Sequence, residues 1–400
     1  MDRDRQTVSI LLVLIEIVLW SSLGATFAAG QATQPKPPPG SQTAAKRAQT
    51  PVLAEDFFKN VQVLKGIPVS EFMDTMGFFA ASLSLNCTSC HGLGSASDVS
   101  KFADDTPLKQ TARKMILMVR AINREHFAGQ RLITCYTCHR GDERPKERPS
   151  LAEQYGAPPP DDPNDVEIPG QASGGPSADQ IFDKYLAALG NPQQLAQLTS
   201  FVAKGTYSGY DTDKEKYPVE VFAQAPDKHA MMVHMPDGDK TVSYDGRTGW
   251  LAEPDTPVPL MELTGQDLDG AKLEAELFFP AKIKQARSKW QAGATTMDDR
   301  DVEVIQGTGA GQTTIKLYFD KESGLLVRAV HFVNTVVGQV TTQTDYSDYR
   351  DVSGVKIPFK WTETWVDGQS TTELSDVATN ARIDAAKFAK PMAATKPTAR

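Results

Sequence analysis

The residues with the clearest chemistry in this chain are its cysteines. All four lie in two copies of one pattern, Cys-x-x-Cys-His, at Cys87–His91 and Cys135–His139. Two intervening residues place both thiols on one side of a helical turn. This pattern is the attachment signature of c-type haem, in which each thiol adds to a vinyl group of the porphyrin. The sequence therefore predicts two covalently bound haem c groups, attached to Cys87, Cys90, Cys135 and Cys138.

The histidine of each motif is the predicted proximal ligand of the haem iron. It follows the second cysteine directly, at His91 and at His139. Three other interpretations of four cysteines are open: two zinc knuckles, a pair of disulfides, or a dithiol redox site. None of them explains why a histidine follows the second cysteine both times. Haem attachment is therefore the preferred interpretation.

Each motif is preceded by a helical pattern that carries two methionines. Met73 and Met76 come before the first motif, and Met115 and Met118 before the second. Methionine at helical spacing usually packs in a core, but it is also a common sixth ligand of haem iron. One methionine of each pair can face the iron while the other packs. His126 is the one further histidine of this segment.

The N-terminus has the pattern of an export signal. Arg3 and Arg5 precede an apolar run, and small residues follow up to Gly30. We expect a signal peptide over residues 1–29. An uncleaved anchor is the alternative, which Glu16 in the middle of the apolar run disfavours. The chain is therefore expected in the periplasm or at the periplasmic face of the inner membrane.

Composition and periodicity divide the rest of the chain. Residues 30–50 are predicted to be a disordered spacer, 51–144 a helical domain, 145–176 a Pro/Gly-rich linker and 392–400 a tail. Residues 177–391 begin with a helix capped by Ser177 and continue as short alternating strands joined by turn sequences. The expected fold class is a two-domain α+β protein, with a small helical multihaem domain followed by an antiparallel β half-barrel-like domain and a packed helix.

Charge and hydropathy exclude several classes of protein. The chain has 400 residues and a formal net charge of -8, which argues against nucleic-acid binding. Its mean hydropathy of -0.36 excludes a polytopic membrane protein. In the second segment, His229, His234 and His331 are interpreted as surface or cross-strand histidines. Core packing is expected for Met231, Met232, Met235 and Trp250, and a solvated turn for Asp298–Asp301.

The helical segment resembles the cytochrome c subunit of photosynthetic reaction centres. The resemblance lies in FKNVQVLKGIPVSEFMDTM, NCTSCHG, ARKMILMVRAINREHF and TCYTCHRG. It implies that Met76 ligates the haem on His91 and that Met115 ligates the haem on His139. Met73 and Met118 then become packing residues, and His126 a surface or propionate-contacting residue. Fuller members of this family carry four haems, whereas this chain has motifs for two.

The second segment resembles, more weakly, the LolA-type periplasmic lipoprotein-carrier fold. The features that carry this resemblance are an N-terminal helix, a long antiparallel meander and the ending YSDYRDVSGVKIPFKWTETW. No motif of this segment is specific. The resemblance implies a half-open barrel packed over a helix.

The leading hypothesis is a dihaem electron carrier rather than an enzyme. Its expected partners are a redox donor protein or quinol-linked complex and a membrane reaction centre or respiratory complex. The resemblance implies re-reduction of a membrane photosynthetic electron donor. One alternative is a periplasmic binder of lipid or hydrophobic ligand that uses the haems as a redox sensor. The other is a peroxidase-like haem enzyme, whose distal His–Arg pair could be only His126 with Arg124 or Arg131.

Overall fold

The structure is a computed structural model, which describes residues 50–157, 162–168, 175–254 and 256–392. The predicted signal peptide or anchor, nearly all of the spacer and most of the tail lie outside these residues. Within the described ranges, no helix combines the length and the apolar character needed to cross a membrane.

The N-terminal segment is helical, as predicted. Its helices are α1 (Ala54–Phe57), α2 (Val69–Leu83), α3 (Cys87–His91), α4 (Pro107–His126) and α5 (Cys135–His139). Two 3-10 turns, Leu93–Ala96 and Val99–Ala103, connect α3 to α4. Helix α4 begins after Thr106, whose hydroxyl accepts a hydrogen bond from Lys109 N (3.2 Å). Pro107 suits the first helical position because a backbone N–H there has no partner within the helix.

The second segment opens with α7 (Ala178–Leu189) and α8 (Pro192–Gln197), and Ser177 and Gln180 form a reciprocal cap at the start of α7. Thirteen strands follow. They are β1 (Ser200–Gly209), β2 (Tyr217–Gln224), β3 (Lys228–Met235), β4 (Gly238–Tyr244), β5 (Gly249–Ala252), β6 (Leu260–Leu263), β7 (Lys289–Met297), β8 (Arg300–Thr308), β9 (Thr314–Asp320), β10 (Leu326–Asn334), β11 (Gln339–Val352), β12 (Val355–Trp365) and β13 (Gly368–Thr379). Helix α9 (Gly265–Phe278) lies between β6 and β7.

All strands belong to one antiparallel sheet, in the order β6-β5-β4-β3-β2-β1-β13-β12-β11-β10-β9-β8-β7. Helix α9 touches β3 and β4 and also β10, although five strands separate β3 from β10 in the sheet. A flat sheet could not make both contacts, so the sheet curls around α9. The antiparallel, half-barrel-like architecture expected for this segment is therefore present.

The two faces of the curled sheet have different coverings. The inner face packs on α7 in the largest core, where Phe182 and Tyr185 meet Phe319. Alternation along the strands directs every second side chain to this face. On the outer face, Val166 and Ile168 of the predicted linker pack against a smaller apolar cluster around Tyr318.

The linker is more structured than its composition indicated. It contains α6 (Leu151–Tyr155), and a short stretch after it crosses the outer face of the sheet. Lys316 Nζ donates hydrogen bonds to Asn164 O (2.6 Å) and Val166 O (2.9 Å), and Tyr318 Oη donates to Pro163 O (2.8 Å). These donors lie on β9 and are distant in sequence, so local composition could not indicate them. The domain boundary within 145–176 stays a prediction.

Helix α2 packs directly on one end of the sheet. Ser70 Oγ lies 2.8 Å from Thr264 Oγ1, next to the start of α9. Phe78 packs so closely on Gly338, in the β10–β11 turn, that a Cβ added there would overlap its ring. One apolar cluster contains Phe78 and Ile116 of the helices and Val333, Val337 and Val340 of the sheet. The described residues from Thr50 onward therefore form one compact unit.

Two histidines of the sheet pack against α9. His229 on β3 is buried, with its ring stacked on Phe278 (4.9 Å between centroids). His331 on β10 lies under Gly270 of α9. Burial lowers the pKa of each to about 4, so both are neutral at pH 7. The sequence interpretation allowed a surface or a cross-strand position, and both residues are cross-strand: His229 pairs with Ala223 and His331 with Thr342.

Candidate functional site

The first motif forms a single helical turn, α3, that starts at a strong cap. The Asn86 side chain accepts hydrogen bonds from Ser89 N (3.0 Å), Ser89 Oγ (2.8 Å) and Thr88 Oγ1 (2.9 Å). The Thr106 hydroxyl, which caps α4, also donates to Cys90 O (2.5 Å). One threonine thus ties the end of the first motif to the beginning of the next long helix.

The second motif, α5, repeats this construction with different residues. Thr134 and Thr137 form a reciprocal cap, in which Thr137 N donates to Thr134 Oγ1 (3.3 Å) and Thr134 N to Thr137 Oγ1 (3.0 Å). After the motif, Gly141 N donates to Ser82 O (3.0 Å) in the last turn of α2. The second motif is therefore held against α2, while the first is held against α4.

The two motif histidines make the same contact. His91 Nδ1 lies 3.1 Å from Phe102 O, and His139 Nδ1 lies 3.0 Å from Asp142 O. A carbonyl oxygen only accepts, so Nδ1 carries the proton in both rings and Nε2 keeps its lone pair. Burial lowers the pKa of His91, which favours the neutral, metal-binding form. In both imidazoles Nε2 is therefore the ring nitrogen that can accept a bond.

The thiols do not have the properties of a dithiol redox site. Burial raises the pKa of Cys90, and it raises the pKa of Cys135 to about 11. Reactive dithiols have a thiol pKa below the usual range. All four cysteines are unpaired, and Cys87 and Cys138 are exposed. Among the described residues, no three His, Cys, Asp or Glu side chains group as a cage for a metal ion.

The methionine on α2 that is a candidate ligand is partly buried, whereas the two methionines on α4 are exposed. Met76 on α2 packs in a partly buried cluster with Phe72, Phe79 and Cys135. Met115 and Met118 on α4 both stay exposed, by 41% and 46%. The face of α4 that packs inward is instead Ile116, Val119 and Asn123. The structure thus places Met76 in one cluster with Cys135 of the second motif, and the pairing of each methionine with one histidine stays a prediction.

A group of large apolar side chains lies uncovered around both motifs. Leu93 is 85% exposed, Leu132 58% and Tyr136 54%. The full set is Leu93, Val99, Leu108, Met115, Leu117, Met118, Leu132 and Tyr136. Leu93 and Leu132 lie within three residues of a motif and Tyr136 lies inside one, so exposed apolar side chains border both motifs.

Sequence reasoning missed Asn123, which positions the second motif. Its amide donates to Ile133 O (2.7 Å) and accepts from Ile133 N (3.0 Å), so that it holds the loop just before Thr134. The available signal was a polar residue in register with Ile116 and Val119 on the buried face of α4. His126, by contrast, lies exposed at the end of α4.

Comparisons with known proteins match the two segments separately. Residues 25–159 match the family model described as photosynthetic reaction centre cytochrome C subunit. The photosynthetic reaction center cytochrome c subunit of Thermochromatium tepidum is 38% identical over 97 residues, which is 23% of this chain and 23% of that protein. The subunit of Roseobacter denitrificans is 35% identical over 104 residues, or 24% of this chain and 27% of that protein. The chain thus spans about a quarter of the length of these relatives.

Solved structures match the second segment. A LolA superfamily protein from Nitrosomonas europaea covers 54% of this chain and 99% of its own, with a TM-score of 0.35 and 17% identity. A DUF1329 family protein from Desulfovibrio piger covers 53% and 96%, with a TM-score of 0.38 and 11% identity. The resemblance of the helical segment, read from its two motifs, is confirmed: residues 25–159 are similar to the cytochrome c subunit of photosynthetic reaction centres.

Proposed function

We propose that this protein is a dihaem c-type cytochrome that carries electrons at the periplasmic side of the inner membrane. The observation that supports this most directly is the shared geometry of the two motifs. Each has thiols three residues apart on one helical turn and an imidazole whose Nδ1 is bonded to a backbone carbonyl. Electron donors of the quinol-linked or small redox-protein kind, and a membrane reaction centre or respiratory complex as acceptor, fit this role.

The proposed cofactor residues keep the assignments that the family resemblance implies. Cys87 and Cys90 would hold one haem, and His91 and Met76 would ligate its iron. Cys135 and Cys138 would hold the other, with His139 and Met115 as iron ligands. When bound, each haem supplies one iron that cycles between the ferric and ferrous states. This role makes and breaks no substrate bonds.

The chain's own residues orient the ligands and limit their movement. Phe102 O and Asp142 O fix the ring planes of the two histidines, because a ring held at Nδ1 cannot turn freely. A methionine thioether is a weak, soft donor that favours ferrous iron and raises the potential. Ligands that stay in place in both oxidation states minimise the rearrangement that accompanies each electron transfer.

The test is a count of covalent haem combined with a redox titration. The protein, matured with a haem-attachment system, should retain two haems per chain after acid–acetone extraction. Cys87→Ala with Cys90→Ala should leave one haem, and the corresponding change at Cys135 and Cys138 should leave the other. A chain that matures with no covalent haem, or with turnover of peroxide as its main activity, would contradict the proposal.

A further inference from the structure

The carbonyl oxygen that orients His91 also accepts a hydrogen bond from a lysine. His91 Nδ1 lies 3.1 Å from Phe102 O, and Lys109 Nζ donates to the same oxygen (2.8 Å). The ring of Phe102 also lies against the His91 imidazole, with 4.8 Å between the two centroids. A positively charged side chain is therefore linked to the predicted iron ligand of the first motif through one shared carbonyl oxygen.

The charge of Lys109 is directed at backbone carbonyl groups. Lys109 is the third residue of α4, where the helix dipole disfavours a positive charge. Its ammonium group nevertheless donates a further hydrogen bond to Asp104 O (2.7 Å). The carboxylate of Asp105 is bonded instead to Arg113 (2.7 Å) and Asn60 (2.9 Å). An ion pair with Asp105 therefore does not neutralise Lys109.

The second motif does not share this arrangement. His139 Nδ1 lies 3.0 Å from Asp142 O, and the neighbouring Lys146 bonds to the Asp142 carboxylate (2.5 Å to Oδ2) rather than to its carbonyl group. This ion pair is exposed, with 72% of the Lys146 side chain accessible. Its opposite charges largely cancel, and water and salt screen what remains. The two motifs thus have the same histidine contact but differ in the charge on the accepting carbonyl group.

The donor strength of a ligating histidine depends on the group that its Nδ1–H contacts. A strong acceptor leaves more electron density on the ring and makes it a better donor to ferric iron. A carbonyl oxygen that also accepts from an ammonium group has less electron density to offer to the ring. Lys109 therefore weakens the acceptor at His91, which disfavours the ferric state.

The charge of Lys109 acts in the same direction through space. Lys109 is half-buried, so water screens its charge less than that of an exposed lysine. Burial is the main cause that lowers the pKa of His91, and the charge of Lys109 also lowers this pKa. A charge that opposes a proton on the imidazole also opposes the additional positive charge of ferric iron at that ring.

We propose that Lys109 is a positioning residue that raises the reduction potential of the haem on the first motif and leaves that of the second unaffected. This inference rests on the proposed electron-carrier function and deepens it, because it assigns control of one potential to a residue that is not an iron ligand. The electron balance of the carrier is unchanged: each haem takes one electron from the donor protein or quinol-linked complex and passes one electron to the acceptor.

The test is a redox titration of the full haem-loaded chain with Lys109→Met, which removes the charge and both hydrogen bonds at a similar side-chain length. We expect the equilibrium constant for reduction of the first haem to fall about tenfold, or about 59 mV for a one-electron couple, with the second haem unchanged. A parallel titration of the chain with Cys135→Ala and Cys138→Ala identifies the transition of the first haem. The near-infrared methionine–iron band should persist, which shows that the shift does not come from loss of an axial methionine.

Lys101→Met is the matched control. Lys101 is an exposed lysine one residue before Phe102, and its Nζ lies 3.7 Å from Asp104 Oδ2. Its replacement removes the same charge without touching the shared carbonyl group, so both equilibrium constants should stay within about twofold. Lys109→Arg keeps the charge and N–H donors and should hold the first constant within about threefold. If Lys109→Met does not load haem, Lys109→Gln takes its place and should shift the first haem in the same direction.

Three outcomes would overturn the inference: unchanged potentials in a Lys109 variant that carries two haems, equal shifts of both haems, or a shift of the same size in Lys101→Met. Urea unfolding of the same samples separates a structural role, because a lower midpoint with unchanged potentials would mean that Lys109 only fastens the turn before α4. Failure of the proposed function is distinguishable, since it would appear as an unaltered chain that matures without covalent haem.

Discussion

In His91 and in His139, one hydrogen bond determines which ring nitrogen carries the proton. Each ring is bonded through Nδ1 to the backbone oxygen of a residue that follows its motif, Phe102 or Asp142. The cysteine spacing and the following histidine predict the ligand and its partner thiols, and this assignment stays a prediction. The carbonyl that fixes each ring was not predictable, because a backbone oxygen carries no sequence signature.

Replacement of Met115 tests the axial ligand of the second haem. Because histidine is a better donor to ferric iron than a thioether, Met115→His should lower the potential of one haem and leave the other nearly unchanged. Met118→Leu, three residues further along α4, is the control and should preserve both potentials and the near-infrared methionine–iron band. The reverse result, with the band lost in Met118→Leu and kept in Met115→Leu, would show that the family register is wrong here.

Glu274 gives a prediction for the pH dependence of stability. Its pKa is about 8 in the folded protein and about 4.3 when unfolded, so its contribution is complete below pH 4 and is lost as the pH rises towards 8. Glu274→Gln cannot ionise. Its thermal midpoint, relative to that of the unaltered protein, should therefore rise between pH 5 and pH 8.5. Glu262→Gln should track the unaltered protein, and a pH-independent difference for Glu274→Gln would contradict the assignment.

At the scale of single elements, the sequence predicts that α4 forms but not which of its side chains pack against the rest of the protein. Thr106, Pro107 and the apolar repeat after them specify the start of the helix. The repeat also placed Met115 and Val119 on one apolar face, whereas the structure buries Val119 and leaves Met115 exposed. A porphyrin beside α4 would supply the missing apolar partner, and a pattern of residues alone cannot distinguish a protein core from a cofactor.

Asn123 links α4 to the second motif, and its removal should weaken that link. Asn123→Ala leaves both Ile133 N and Ile133 O without their partner, which should reduce the free energy of unfolding by about 1–3 kcal/mol. Urea unfolding of the haem-loaded protein measures this loss. Gln110→Ala, on an exposed position of the same helix, is the control. A loss no larger than that of the control would mean that the loop before Thr134 does not depend on Asn123.

At the scale of the molecule, the sequence predicted a helical segment followed by an antiparallel sheet, and both are present. What it could not predict is the packing of one on the other. Phe78 and Gly338 are separated by most of the chain, and neither residue type marks an interface. The shared cluster of Phe78, Val333 and Val337 becomes visible only when the fold brings these residues together.

Cutting the chain between the two segments should not separate them. With a site-specific protease sequence inserted after Pro149, the haem-bearing and β-sheet fragments should stay together in gel filtration, because the shared apolar cluster does not depend on the connection. Gly338→Leu, whose side chain would overlap the Phe78 ring, should let the fragments elute apart. Gln339→Leu, at an exposed neighbouring position, is the control. Separation of the fragments without any substitution would contradict this view of the interface.

The valines of the β10–β11 hairpin also limit which truncations and recombinations of the gene would give a folded product. Val333, Val337 and Val340 are covered by α2 and α4 of the helical segment. The product of a shortened gene that encoded only the sheet would expose these three valines to solvent, and it would be prone to aggregate. Recombination that exchanged the cytochrome segment for another would have to supply a new cover for the same three side chains. Each half of the gene therefore encodes apolar side chains that the other half covers.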